Sequence, residues 1–223
     1  MKTKNQNMLL PLVTWRGGRV VRLLLLLLLC PMIAMAEKND DSKYLLGAVP
    51  EKDGVITFTQ TFSVPGKTQA QIYPVIKAYV ESLVAAGRQD LRTRVISDEN
   101  STIVAKIEEI MTFKKKFLNW DHTYFRYHLS AECTPDNKVH LTLTQISYYY
   151  GFDQEGNNGE SYKAEEWISD KEAVNKAGTK LYPRSGKFRR KTVDRVEEIF
   201  AGAREQFEQP QQPVQKKSAT VVE

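Results

Sequence analysis

The sequence predicts an α+β domain: an antiparallel β-sheet with helices packed on one face, in the order strand, helix, four strands, helix. Three observations lead there. Several segments between residues 55 and 150 alternate apolar and polar side chains with period two. Two stretches, 68–87 and 188–207, carry apolar residues at helical spacing. Consecutive strands are joined by short polar turns, which link antiparallel neighbours. Two amphipathic helices must bury their stripes, and the apolar face of the sheet is the surface available. The other face is left to solvent.

The first strand is Val55 to Val64. Ile56, Phe58, Phe62 and Val64 share one face, with Gln60 the exception, and Thr57, Thr59, Thr61 and Ser63 share the other. Pro65 and Gly66 stop it. Thr68 opens a helix with Gln71 as its capping-box partner, and Ile72, Val75, Ile76, Tyr79, Val80, Leu83 and Val84 form the stripe. Pro74 conflicts with a regular second turn. Gly87 is placed to end the helix in a left-handed conformation. Strands follow at 91–97, 102–113, 122–133 and 139–150, with turns at Asp98–Asn100 and Pro135–Asn137 and the lysines 114–116 in a loop. The last strand changes phase between Leu143 and Ile146, which calls for a bulge or for different partners at its two ends. Residues 151–159 read as a polar loop. Ser169 and Glu172 cap a short helix that Gly178 can end. In the final helix, from about Phe188 to Phe207, Val193, Val196, Phe200, Ala203 and Phe207 step by three and four.

Four segments carry a family resemblance: Tyr44 to Pro50 (Tyr-Leu-Leu-Gly-Ala-Val-Pro), the strand around Phe58–Phe62, Ala164 to Lys171 (Ala-Glu-Glu-Trp-Ile-Ser-Asp-Lys) and Gly186 to Thr192 (Gly-Lys-Phe-Arg-Arg-Lys-Thr). Over roughly Tyr44 to Phe207 the chain resembles the exported Bacteroides-type family called domain of unknown function 4468, which has a TBP-like fold. The resemblance implies a curved antiparallel sheet with helices on one face, and an exported protein of a Gram-negative envelope. It implies no activity, because fold does not dictate function.

Residues 1–36 have the three parts of a secretory signal. Lys2, Lys4, Arg16, Arg19 and Arg22 form a basic leader, Leu23–Leu29 an apolar run, and Ala34 and Ala36 the small residues a signal peptidase needs. The apolar stretch to Ala36 is shorter than the ~20 residues that cross a bilayer, so no transmembrane span is expected in the mature chain. Cys30 offers lipid attachment as a second exit, but that route wants a small preceding residue, and Leu29 stands there. Residues 43–208 read as one domain and 209–223 as a disordered tail rich in Gln, Pro and Lys.

The leader holds five basic and no acidic residues, so the remaining 187 carry 27 of each. The net charge of +5 is therefore a targeting feature. A neutral, exported domain is not expected to bind nucleic acid. Cys133 is then the single cysteine, which excludes an internal disulfide and a cysteine metal cluster.

No catalytic signature stands out. Glu165 and Glu166 are adjacent, and on a helix they point about 100° apart, which does not flank one bond. His122 and His128 lie on one face some 20 Å apart, while His140 can approach His128 across a hairpin; no third ligand is placed, and neither metal nor cofactor is expected. Two candidate sites remain. Lys187, Arg189, Arg190 and Lys191, at the start of the last helix, invite an anionic partner or ion pairs to Glu165, Glu166 or Asp170. Tyr148, Tyr150 and Trp167, with Tyr149 and Phe152, form either an aromatic platform for sugars or edge packing of the core. The expectation is a non-catalytic envelope protein that binds a protein or glycan through its open sheet face or loops. A glycan- or peptidoglycan-acting enzyme and a carrier of small apolar ligands are the alternatives.

Overall fold

A computed structural model describes residues 40–89, 92–117, 119–151 and 158–208. The predicted leader at 1–36 (Ala34 and Ala36 included), most of the predicted loop with Phe152, and the predicted tail at 209–223 lie outside the described residues. The chain begins with a 3-10 turn at Ser42–Tyr44 and a two-stranded ribbon, β1 (Glu51–Lys52) and β2 (Val55–Ile56). Then come β3 (Phe58–Ser63), α1 (Gln69–Ala86), β4 (Arg94–Glu99), β5 (Thr102–Lys116), β6 (Asn119–Cys133), β7 (Lys138–Tyr150), β8 (Glu160–Lys163), α2 (Asp170–Ala173) and α3 (Pro183–Glu208).

The main sheet is antiparallel throughout, in the order β3-β7-β6-β5-β4, with β8 also pairing with β7. β3 lies along residues Lys138–Leu143 of β7, and β8 along Ser147–Tyr150. Between these two partners sits the bulge that the phase change predicts. The register slips opposite Arg126 and His128, and Gln145 adopts a left-handed φ of 51°. The extra residue lets Leu143 and Ile146 both face the core.

Both long helices cover the same face. Ile72, Ile76 and Val80 of α1, and Phe188, Val196, Ile199 and Ala203 of α3, join Ile103, Ile107, Phe125, Leu129, Leu141 and Tyr148 in one buried cluster. The capping box at Thr68 and Gln71 is present. Pro74 lies inside α1 without ending it: Pro74 and Ala70 are exposed, so the carbonyl that loses its donor meets water.

The structure corrects several expectations. Gly87 is not left-handed; its φ is −68°. Its lack of a Cβ matters because one there would stand 2.8 Å from Thr93 Cγ2 and 3.2 Å from the Glu108 carbonyl oxygen. The first predicted strand is interrupted, and Val55–Ile56 pairs with Glu51–Lys52 through an Asp53–Gly54 turn. Asp98 and Glu99 belong to β4, and the turn is made by Asn100 and Ser101, both left-handed. The three lysines 114–116 belong to β5 rather than to a loop. β8 had no periodic signal in four residues. Residues 164–169 are turns, and α2 ends before Val174, far short of Gly178. The last helix starts at Pro183 instead of Phe188; proline suits a first helical position because its missing N–H has no partner there anyway. The basic residues from Lys187 onward are thus past the first turn.

Candidate functional site

Alternation along β6 sends Phe125, Tyr127, Leu129, Ala131 and Cys133 into the core and leaves Trp120, His122, Tyr124, Arg126 and His128 on the other face. Cross-strand register extends this face. Tyr124 lies between Ile110 and Tyr149, Arg126 between Glu108 and Ser147, and His128 between Lys106 and Thr144. β4 adds Arg94 opposite Lys106, and β8 adds Lys163 opposite Ser147. Among the described residues no helix packs on this side.

Three zones follow one another along the strands. The first is aromatic: Trp120 stacks on His122 with ring centroids 3.9 Å apart, and Tyr124 stacks on Tyr149 at 6.0 Å. Cations interleave with the rings, Lys115 at 5.4 Å from Trp120, Arg88 at 3.8 Å from Tyr124 and Arg126 at 5.5 Å from Tyr149. Trp120 remains 44% exposed.

The second zone is a basic belt built around Glu108, which has no exposed surface. β4 reaches only as far as Lys106 on β5, and the chain leaving α1 crosses the β5 edge just beyond it. There Arg88 N donates to the Glu108 carbonyl at 2.7 Å, and Thr93 Oγ1 takes the place of a strand by accepting from Glu108 N at 3.0 Å. The Glu108 carboxylate meets Arg88 Nη1 at 2.6 Å, Arg92 Nη1 at 3.5 Å and Arg126 Nε. One carboxylate thus gathers three guanidiniums. Burial, then Lys106 and Arg94, hold the His128 imidazole below its usual 6.5, because each disfavours the imidazolium.

The third zone is lined by hydroxyls. Thr57 and Thr144 are 3.2 Å apart, and Thr61 Oγ1 is 2.7 Å from His140 Nδ1. His140 lies opposite Glu132 rather than His128, four residues away along β6, so the expected histidine approach does not occur. Among the described residues no group of three His, Cys, Asp or Glu side chains could hold a metal ion.

The predicted aromatic platform lies on the wrong face. Tyr148 is wholly buried, with its hydroxyl 2.6 Å from Thr192 Oγ1. Tyr148, Tyr150 and Trp167 surround Phe188 with ring centroids 5.1, 5.2 and 5.6 Å away. These rings pack the core edge. The bulge at Gln145 fixes the parity of the tyrosine run, so Tyr149, between the two chosen residues, is the one that faces out. His122 and Tyr124 fall on the polar side of the predicted strand 122–133, and Trp120 lies just before it; the signal for all three is that this side of the segment is ring-rich.

The four predicted cations diverge. Lys187 meets Asp121 at 2.7 Å and the Tyr150 hydroxyl at 2.8 Å. Arg189 is fully buried and donates to the carbonyls of Tyr44, Leu45 and Ile168 and to Asp170. Arg190 forks onto both oxygens of Asp41 at 2.6 Å. Lys191 alone has no carboxylate partner among the described residues. It borders an open groove of about 770 Å³ between α3 and β5. The groove is lined by side chains already paired with one another: Lys43 with Asp194 and Glu197, Arg195 with Glu109 and Glu198. That lining is far from an enclosed apolar cavity. Of the ion pairs weighed for the basic group, the one to Asp170 forms, through Arg189; Glu165 instead accepts from Ile56 N at 2.9 Å.

An open-faced antiparallel sheet with its helices on one side is the class of protein that this geometry defines. A family model described as a domain of unknown function (DUF4468) with TBP-like fold matches residues 58–149. A DUF4468 family protein from Bacteroides ovatus ATCC 8483 is 36% identical, with a TM-score of 0.70, over 78% of this chain and 98% of that one. The chain belongs to the DUF4468 family. A TBP-like protein from Parabacteroides distasonis ATCC 8503, 19% identical with a TM-score of 0.56 over 73% of this chain and 99% of that one, shares the fold. No curated protein matches. No helix of the described residues is long and apolar enough to cross a membrane.

Proposed function

We propose that this chain is exported to the envelope, loses residues 1–36, and acts there as a non-catalytic binding domain that takes its partner on the open sheet face. The observation that carries the reading is the row of stacked rings, Trp120 on His122 and Tyr124 on Tyr149, interleaved with cations on a face that no described helix covers. Rings that serve only packing go to the core, as Tyr148 and Phe125 do. Rigid rings set among polar groups and exposed to water are what binding surfaces use. The dense ion pairing of Glu108 supports a role in holding the face rather than in proton transfer. Recovery of crosslinked partners from the envelope tests the reading. Wild-type protein beginning at Glu37 retains them, and a Trp120→Ala/Tyr149→Ala double variant that folds normally loses them. Retention of the same partners by that variant contradicts the proposal.

A further inference from the structure

We infer that the β5–β6 hairpin docks the protein on an anionic lipid bilayer, with the Phe117 ring entering the headgroup region and Lys114, Lys115 and Lys116 against lipid phosphates. This goes beyond the binding reading of the sheet face and does not depend on it. β6 pairs with β7 only as far as Thr123 opposite Tyr150, and β8 ends opposite the same Tyr150. β5 and β6 continue together through Thr112–His122, Lys114–Asp121, Lys115–Trp120 and Lys116–Asn119. The four residues past Thr123 extend about 13 Å at strand rise, so among the described residues the hairpin runs on beyond its strand partners as a two-stranded arm.

At the end of that arm Phe117 is 99% exposed. An isolated exposed ring is ordinary on a protein surface, but this one follows three consecutive exposed lysines. None of the three has a carboxylate partner among the described residues. Asp121, the carboxylate of the arm, meets Lys187 and the Tyr150 hydroxyl. Successive lysines on a strand point to opposite sides, so the charge surrounds the tip. Lys115 also lies 5.4 Å from the Trp120 ring, and tryptophan is a residue that settles at the boundary between membrane and water. The chemistry favours a lipid surface over other anions. Lysine is a flexible point charge suited to a diffuse layer of phosphates, while a single defined carboxylate or phosphate is better gripped by the arginine fork, which the arm lacks. The tip is two strands wide, too small for the roughly 800 Å² that a stable protein interface takes from each partner. A bilayer needs no matching shape: the cations attract and the ring anchors.

The test floats the protein, recovered from its own cells, with vesicles of equimolar phosphatidylglycerol and phosphatidylcholine and with vesicles of phosphatidylcholine alone. Binding is expected to the anionic vesicles and to weaken as salt is raised. Phe117→Ala should lower the affinity about tenfold. Lys114→Gln/Lys115→Gln/Lys116→Gln should lower it about a hundredfold, while Lys191→Gln on α3 leaves it unchanged. All of these positions except Lys191 are on the arm and exposed, and an unchanged urea midpoint shows that each variant folds. A Phe117→Trp variant should gain quenching by brominated acyl chains over the wild type, which attraction by the lysines alone would not produce. Absence of vesicle binding, equal binding to both compositions, binding indifferent to Phe117 and the lysines, or no added quenching overturns the inference. So does a photoreactive residue at position 117 that forms adducts in cells with a protein instead of lipid. Trp120 and Tyr149 are untouched in these variants, so the lipid inference can fail while the sheet-face reading stands, and the reverse.

Discussion

Single side chains in this protein do work that their residue type does not announce. Gly87 is the clearest case. Its φ of −68° suits any residue, so the argument for glycine is contact, not conformation. Gly87→Ala forces its methyl into Thr93 and the Glu108 carbonyl and should cost about 1–3 kcal/mol, seen as a lower urea midpoint. Glu108 is the other case. Removing it takes from Arg126, Arg88 and Arg92 the buried carboxylate they share, and Glu108→Ala should cost about 3–5 kcal/mol in the same measurement. His128 supplies a pH signature. Its folded pKa lies below 6.5, so the unfolded chain takes up the proton first as pH falls. The contribution of neutral His128 is complete above 6.5 and is lost as pH drops from there through the folded value. Between pH 7 and 5, wild type should therefore lose more stability than His128→Gln; an equal loss contradicts this account.

At the scale of elements, α3 holds the segment from Asp41 to Leu45 through Arg189 and Arg190, and through Asp194 and Glu197, in addition to the packing of Tyr44 against the core. Arg189 satisfies three carbonyls and Asp170 from within the core edge, and Arg190 holds Asp41, so the chain is anchored from Asp41, ahead of the domain boundary predicted at residue 43. Arg189→Met takes the Arg189 donors from the Tyr44 and Ile168 carbonyls and breaks the pair with Asp170, and should cost about 3–5 kcal/mol. Amides of residues 42–48 should then exchange faster. Arg189→Lys should restore only part of the loss, because an ammonium cannot reproduce the planar fork. The long elements were legible because period two and period 3.6 persist over a dozen residues: β5, β6, β7, α1 and most of α3 follow directly from Ile103, Phe125, Leu141, Ile72 and Val196 and their repeats. β1, β2 and β8 were not, since two to four residues carry no period. The first turn and a half of α3 was missed because Pro183 to Lys187 lack the apolar repeat. The candidate site was half legible. Tyr148, Tyr150 and Trp167 read either as a platform or as core-edge packing, and deciding that they pack the core edge while Tyr149 faces out requires knowing that the bulge falls at Gln145. The burial of Arg189 depends on Tyr44 and Ile168 arriving from distant parts of the chain, which no local pattern encodes.

For the whole molecule, the division between two faces of one sheet is what connects fold to function. The helix face is closed by the core and by paired charges along α3. The other face keeps rings, cations and hydroxyls in contact with water, in a chain whose leader is proposed to carry it to the envelope. The family relationship places this arrangement in a known fold without assigning it a ligand, so the claim about the binding face stands on its own geometry. It is tested most directly by in-cell photocrosslinking from two positions. A photoreactive residue replacing Tyr149 samples the open face, and one replacing Lys191 samples the helix side. The account predicts specific adducts from position 149 and none from position 191. Adducts from 191 with none from 149 would contradict it.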